Sequence, residues 1–386
     1  MGKQGFCPAF YNPQMARPFD VCIRGGGITG RTLALLLAQE RLRVGLVAQD
    51  SAQSALSKAD VRAYALNAKS RHLLESVRCW PNETAATPVL KMQVQGDDGG
   101  EVFFNAADTG VQALAWIVDV PLLEAQLAQA TRFQPQIELL DTAQPATLTV
   151  VCEGKASRSR ADLGVEFEVT PYRQRAIAAR LQCEKPHGQT AQQWFTQDSI
   201  LGVLPLDGPQ GNSIAIVWSV EDARANVLMG MTNEEFAWAV RDESHGALGE
   251  LTLTGERAVW PLQLSRTDQW VGFDNGTAWV LVGDAAHTVH PLSGQGLNLG
   301  LGDVAELATL LSQRDYWRSV ADEKVLRRYE RARKSDAALL ASATDGLQRL
   351  FTQGGGGWQA LRNMGMRGFD RSGPLKHWVT RQAMGI

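Results

Sequence analysis

Gly25, Gly27 and Gly30 stand in the spacing Gly-x-Gly-x-x-Gly, and the chemistry which that spacing permits is the binding of a diphosphate. The first glycine allows a tight turn, the second lets backbone N–H groups approach an anion, and the third lets a helix pack closely on a strand. Ile28 and Thr29 follow at the head of that helix, where first-turn N–H groups lack helical partners and the dipole is positive. The acidic residue that reads ribose hydroxyls in such sites belongs after the second strand. Ala48 fills that slot, and Asp50 in the next loop is the candidate substitute. A glycine-rich turn that holds no ligand is the competing explanation for these residues taken alone.

The elements that must position this turn are legible on either side of it. Phe19 to Ile23 reads as a buried strand, Ile28 to Gln39 as a helix with Leu33, Leu36 and Leu37 on one face, and Val44 to Val47 as a second strand. From Pro88 to Gln263 the pattern changes. Ile214, Ile216 and Trp218 alternate with smaller residues at period 2, Val102 to Phe104 and Glu166 to Val169 look similar, and Pro205-Leu206-Asp207-Gly208-Pro209 is a turn. A mostly antiparallel sheet inserted into a parallel-sheet domain is the expected arrangement. Trp279 to Val282 forms another buried strand; a helix begins near Leu297, and the chain beyond Asp303 is expected to be helical. The length of 386 residues suits two interleaved domains, and 44% apolar with 20% charged residues supports a real core. A net charge of −3 argues against a nucleic-acid partner. Five scattered cysteines without a C-x-x-C pair, and histidines without ligand spacing, indicate buried thiols and no metal site. Residues 1–20 lack the apolar core of a secretory signal, and no run of about 18 apolar residues suggests a membrane span.

The second glycine-rich stretch runs Gly283-Asp284-Ala285-Ala286-His287-Thr288-Val289-His290-Pro291-Leu292-Ser293-Gly294-Gln295-Gly296-Leu297-Asn298-Leu299-Gly300-Leu301-Gly302-Asp303-Val304. It resembles the GDAAH–P–GQG–N–G–DV segment of the FAD-dependent aromatic hydroxylases (class A flavoprotein monooxygenases), most closely the ubiquinone-biosynthesis hydroxylase family. The resemblance implies that Asp284 hydrogen-bonds the ribityl chain and that Pro291 lies beside the flavin ring. The chemistry of the residues agrees with this. A strand-end Asp suits sugar hydroxyls, and the bare Gly294-Gln295-Gly296 backbone admits a flat isoalloxazine ring. The helix of Leu297 and Asn298 aims its N-terminus at the ring edge that gathers charge on reduction, an effect of about 1 kcal/mol. Asp60-Val61-Arg62-Ala63-Tyr64-Ala65-Leu66 is similar to the family segment whose arginine lies near the cofactor, so Arg62 is a flavin or phosphate contact unless it is a surface arginine on a turn. His287 reads as structural, and His290 as either structural or a site contact; neither is assigned as a catalytic base.

The resemblance implies an α/β fold: a Rossmann-like FAD-binding domain of the para-hydroxybenzoate hydroxylase type, an inserted, mostly antiparallel substrate sheet, and C-terminal helices. The expected division is 18–87, 116–160 and 264–345 for FAD, 88–115 and 161–263 for substrate, and 346–386 for a C-terminal helical segment. NAD(P)H, bound transiently, would reduce FAD, and O₂ would form a C4a-hydroperoxide that hydroxylates a phenolic, prenylated ring. A flavin-binding accessory protein or another FAD oxidoreductase is the alternative. Departures from the family motivate that alternative: Ala48, Glu153-Gly154 where Asp-Gly is usual, and Ser199-Ile200; Asp119 ahead of the Leu122–Leu127 helix is a further unusual replacement. Trp194, Phe195, Trp218 and Trp260 are candidates for the substrate wall or for plain core. Glu330-Arg331-Ala332-Arg333 reads as a solvated helix face. The expected location is cytoplasmic, with Trp358, Met364, Phe369 and Trp378 among arginines suiting a peripheral inner-membrane or ubiquinone-biosynthesis complex contact.

Overall fold

The computed structural model describes residues 19–48, 60–96, 99–196, 198–274, 276–288, 295–352 and 372. Asp50, His290, Pro291 and Gly294 lie outside the described residues, as do Cys7 and the Trp, Met and Arg residues of the C-terminal stretch.

Phe19–Arg24 is apolar on both faces, with Val21, Cys22 and Ile23 fully buried, as a central parallel strand requires. It lies inside a six-stranded sheet ordered Val271–Asp274, Thr277–Leu281, Ala146–Val151, Phe19–Arg24, Val44–Val47 and Ile137–Leu140. Neighbours are parallel except for the edge hairpin of Val271–Asp274 and Thr277–Leu281. The order reverses beside Phe19–Arg24, the switch point at which open α/β sheets bind their ligands. Helix Ile28–Gln39 buries Leu33, Leu37 and Ala34 on this sheet. Beyond Asp303 the chain is not one helix. Gly296–Ser312 ends, and Glu323–Thr352 begins ten residues later.

The inserted sheet has nine strands and is antiparallel apart from the pairing of Lys91–Gln95 with Thr190–Phe195. Its long central strand, Glu168–Cys183, pairs with both Ser213–Glu221 and Ala258–Arg266. The period-2 pattern divides its two faces. Ile214, Ile216, Trp218 and Val220 pack with Trp194 under the helices Asp222–Gly230 and Asn233–Glu243, against Ala225, Phe236 and Val240. On the other face, Ala191, Leu206 and Ala215 pack on Ala63, Val89 and Ile117 of a three-stranded sheet formed by Ala63–Leu66, Ala115–Asp119 and Ala86–Val89.

This division corrects the substrate-wall expectation for two tryptophans. Trp218 and Trp194 are 0% and 3% exposed and belong to the core beneath the helices. Trp260 is paired with Ala176, which alternates away from Ile177 of that core, and so lies on the opposite face. Phe195 also lies outside that core, packed with Val102 and Ile200. Truncation of Trp218 to Ala is therefore expected to destabilise the protein by about 3–5 kcal/mol. The measurement is the shift in denaturant midpoint; a change of substrate preference at unaltered stability would show that Trp218 is a wall residue after all.

Candidate cofactor and active site

The first turn is shaped by what glycine leaves out. Gly25 has φ +121°, and a Cβ there would lie 2.4 Å from the Cys152 carbonyl oxygen. A Cβ on Gly30 would stand 2.0 Å from the carbonyl oxygen of Gly25. Gly27 differs, because its Cβ would meet nothing within 4 Å. Gly25 and Gly30 thus close the turn, while Gly27 faces open space. Helix Ile28–Gln39 starts at Gly27 with no side-chain cap, whereas Asn67, Asn105, Asp119, Ser157 and Thr232 cap other helices. Ile28 is buried in the core and Thr29 half-buried, so it is their backbone N–H groups that are offered at the helix head.

The second turn meets the first. Gly283 has φ +64°, and a Cβ there would come 3.6 Å from the Thr29 methyl and 3.8 Å from the Gly300 Cα. A Cβ on Gly300 would come 3.0 Å from the same methyl. The turn is held from several sides. Gly283 N–H donates to Asp303 Oδ2 at 2.9 Å, Val282 N–H to the Val151 carbonyl at 3.0 Å, Arg160 to the Ala285 carbonyl at 2.9 Å, and the Tyr329 hydroxyl to the Leu281 carbonyl at 3.0 Å. His287 Nε2 lies 2.7 Å from Asp303 Oδ2 and stacks on Trp270, a structural position. Burial alone would raise the pKa of Asp303, but His287 and Arg333 offset that and hold it below the usual range.

Asp284, within the second turn, is different from these. Among the described residues its carboxylate makes no hydrogen bond or ion pair. It opens to solvent, yet protein atoms crowd it closely enough that desolvation pushes its pKa up, with the positive Lys155 and nearby His287 pulling back. Helix Gly296–Ser312 starts at Gln295, again without a side-chain cap, and a Cβ on Gly296 would meet nothing within 4 Å. Open backbone at Gly27 and Gly296, with an unpartnered carboxylate between two touching turns, is a donor and acceptor set that fits FAD.

Arg62 sits half-buried beside this gap, gripped by Asp60 through its Nε and at 2.6 Å through its terminal nitrogen, with Glu124 at 3.6 Å. Donating to the Asp60 carboxylate raises its pKa. Tyr64, close enough to feel both Arg62 and Asp284, is pushed up by burial. Arg180 reaches from the nine-stranded sheet to the carbonyls of Val61 and Arg62 and to Asp119.

Several expected contacts are made with the protein instead. The Asn298 carbonyl oxygen accepts from Asn67 N–H and Ser70 Oγ, and its amide donates to the Ala65 carbonyl and Gln295 Oε1. With every donor used, Asn298 positions Gln295 and the Ala63–Leu66 strand, and its side chain has no N–H left for a ligand. Asp119 caps Val120–Arg132 and pairs with Arg180. Glu153 accepts from Ser157 and Ser159 and faces Arg24 at 3.6 Å. Ser199 bonds Thr196 and Glu243 at the junction of sheet and helix. Ala48 packs where a Cβ on Gly26 would come within 2.6 Å of it. The sequence reading missed Arg31, which holds the Gly26 carbonyl at 2.7 Å and Thr131 at 2.9 Å, and Arg160; neither belongs to a spacing that announces a role.

The description of the family whose model matches residues 123–344 is FAD binding domain. The chain is 30% identical to the 3-demethoxyubiquinol 3-hydroxylase of Escherichia coli, covering 96% of this chain and 99% of that one. It is 29% identical to the ubiquinone hydroxylase UbiL of Rhodospirillum rubrum, covering 95% and 89%. The p-nitrophenol 4-monooxygenase PnpA of Pseudomonas putida has the same fold, with a TM-score of 0.75 at 15% identity over 95% of this chain and 98% of that one. PqsL of Pseudomonas aeruginosa, solved in complex with 2-aminobenzoylacetate, gives 0.74 at 21% identity over 87% and 97%.

Two outcomes separate open from closed glycines. Gly27→Val should leave the apo protein within about 1 kcal/mol of wild type while abolishing FAD retention. Gly30→Ala should cost at least 1–3 kcal/mol through its backbone clash, about the range for overpacking. Denaturation curves paired with flavin absorbance distinguish these. Because ionised Asp284 is the better acceptor and its pKa is raised, FAD affinity should fall with decreasing pH above the usual aspartate range. Asp284→Asn should flatten that limb in a titration followed by flavin fluorescence.

Proposed function

As this chain belongs to the FAD-binding-domain family of flavin-dependent monooxygenases, we propose that it hydroxylates the aromatic ring of a prenylated phenol in ubiquinone biosynthesis. The observation that carries this reading is the meeting of the two glycine turns at an open, uncapped gap with Asp284 unpartnered beside it.

FAD, when bound, supplies the oxygen chemistry, drawing electrons from transiently bound NAD(P)H. The chain's own residues bind and orient. Backbone N–H groups at Gly27, Ile28 and Thr29 face the diphosphate, with Arg62 as a further cation. Asp284 would accept from the ribityl hydroxyls, and the head of Gly296–Ser312, from Gln295 through Leu297, would offer backbone N–H groups to the ring.

The substrate ring is assigned to the face of the nine-stranded sheet that carries Ala176, Ala178, Ser219 and Trp260, the face turned away from the helix-covered core, with Trp260 as its apolar edge. In this proposal residues 88–115 and 161–263 serve the substrate. The departures at Asp119, Glu153 and Ser199 all make structural bonds and so do not argue for lost turnover. Among the described residues no helix is long and apolar enough to cross a membrane. A peripheral contact is the arrangement that lets a prenyl tail stay in lipid while its ring enters the site.

Mass spectrometry of quinone precursors in cells lacking this protein tests the proposal. Accumulation of a prenylphenol one oxygen short of its successor is the expected result. An unchanged quinone pool, together with purified flavoprotein that oxidises no NAD(P)H when given prenylphenols, would sink it.

A further inference from the structure

Two of the charged residues in Glu330-Arg331-Ala332-Arg333 do not lie on a solvated face. Arg331 is exposed, but Glu330 and Arg333 are only 7% and 8% exposed. Arg333 Nε donates to Asp303 Oδ1 at 2.7 Å, and its two terminal nitrogens reach Asp336 and the Leu299 carbonyl. The other oxygen of the same Asp303 carboxylate takes the Gly283 N–H and His287. One fully buried carboxylate therefore ties helix Glu323–Thr352 to the second cofactor turn. Neighbouring residues of the helix reinforce the tie. Tyr329 donates to the Leu281 carbonyl just before the turn, and Glu330 accepts from Trp270 N–H, whose ring stacks on His287.

A buried carboxylate stripped of its cation is costly, so Asp303 retains its charge and its grip on Gly283 most readily while Arg333 is in place. Undocking the helix would remove Arg333 and Tyr329 together and free the turn that presents Asp284. Conversely, a ligand that requires the turn in this conformation favours the docked helix. Coupling of this kind is reciprocal, since each event changes the equilibrium of the other by the same factor.

We propose that helix Glu323–Thr352 is a clasp on the cofactor turn and that Arg333, acting through Asp303, is the positioning residue that makes FAD binding and helix docking mutually reinforcing. Arg333 touches neither cofactor nor substrate in this scheme. The inference rests on the reading of the Gly283–Asp284 turn as part of the FAD site.

The test is hydrogen exchange of the purified full-length chain over residues 324–336, with and without added FAD, alongside FAD affinity from flavin fluorescence. In the wild type, FAD should slow exchange in this segment. Arg333→Met should weaken FAD by roughly 5- to 150-fold, the usual span of such coupling, and erase the effect of FAD on exchange; Arg333→Lys should recover much of both. If the methionine variant does not fold, the wild-type comparison decides alone. Equal wild-type exchange with and without FAD overturns the clasp. So does Arg333→Met binding FAD as tightly as wild type while Asp284→Ala binds it weakly, an outcome that leaves the site itself standing. Unaltered FAD affinity in Asp284→Ala removes the site reading and the clasp with it.

Discussion

The two glycine turns meet across the Thr29 methyl, which leaves no room for a side chain at Gly300, while Gly283 is held to glycine by its φ of +64°. The rest of the structure follows from this contact. It brings a turn near the start of the chain against one near residue 283, and it seats the head of helix Ile28–Gln39 beside helix Gly296–Ser312. The Asn298 side chain, bridging to Asn67 and Ser70 across 231 and 228 positions, fixes the same closure from the far side. A methyl group added at Gly300 would require the Thr29 methyl to give way by a few tenths of an ångström.

Around that contact the polar residues sort themselves by whether the protein already satisfies them. Asp303, Glu153 and Asp119 each have protein partners, and each holds backbone or a neighbouring element in place. Their pairing is what keeps buried charge tolerable. Asp284 sits in the same region with no hydrogen-bonding partner among the described residues, and desolvation by the protein atoms around it raises its pKa. A carboxylate partly stripped of water and left without donors gains most when hydroxyl groups arrive. The helix heads at Gly27 and Gln295 carry the complementary deficit, N–H groups without side-chain caps. Helix Asp222–Gly230 also lacks a side-chain cap, so an uncapped head is informative only where open backbone and an unpaired acceptor converge on it.

The strand–turn–helix–strand unit and the second glycine segment were legible in the sequence because their signals are local: glycine spacing, apolar runs and helical periodicity. Which face of a strand meets which neighbour is not local information. The alternation around Trp218 announced a half-buried strand, but the helices that claim that face come later in the chain. Arg333 illustrates the same limit for charge. An arginine on an amphipathic helix reads as solvated, and only the arrival of Asp303, thirty positions away in another helix, buries it. Asn298 is legible as part of the second glycine segment, but that its side chain bonds Asn67, Ser70, Ala65 and Gln295 depends on elements remote in the chain.

The central strand of the six-stranded sheet is the first to leave the ribosome, while its neighbour Ala146–Val151 and the edge strand Thr277–Leu281 emerge much later. Phe19–Arg24 must wait beside Val44–Val47 with one edge unpaired until more than a hundred further residues have been translated, a situation that exposes a nascent chain to chaperones and to mispairing. The two glycine turns can meet only after the segment from Gly283 to Ser312 has been made, so the gap between them closes late in synthesis.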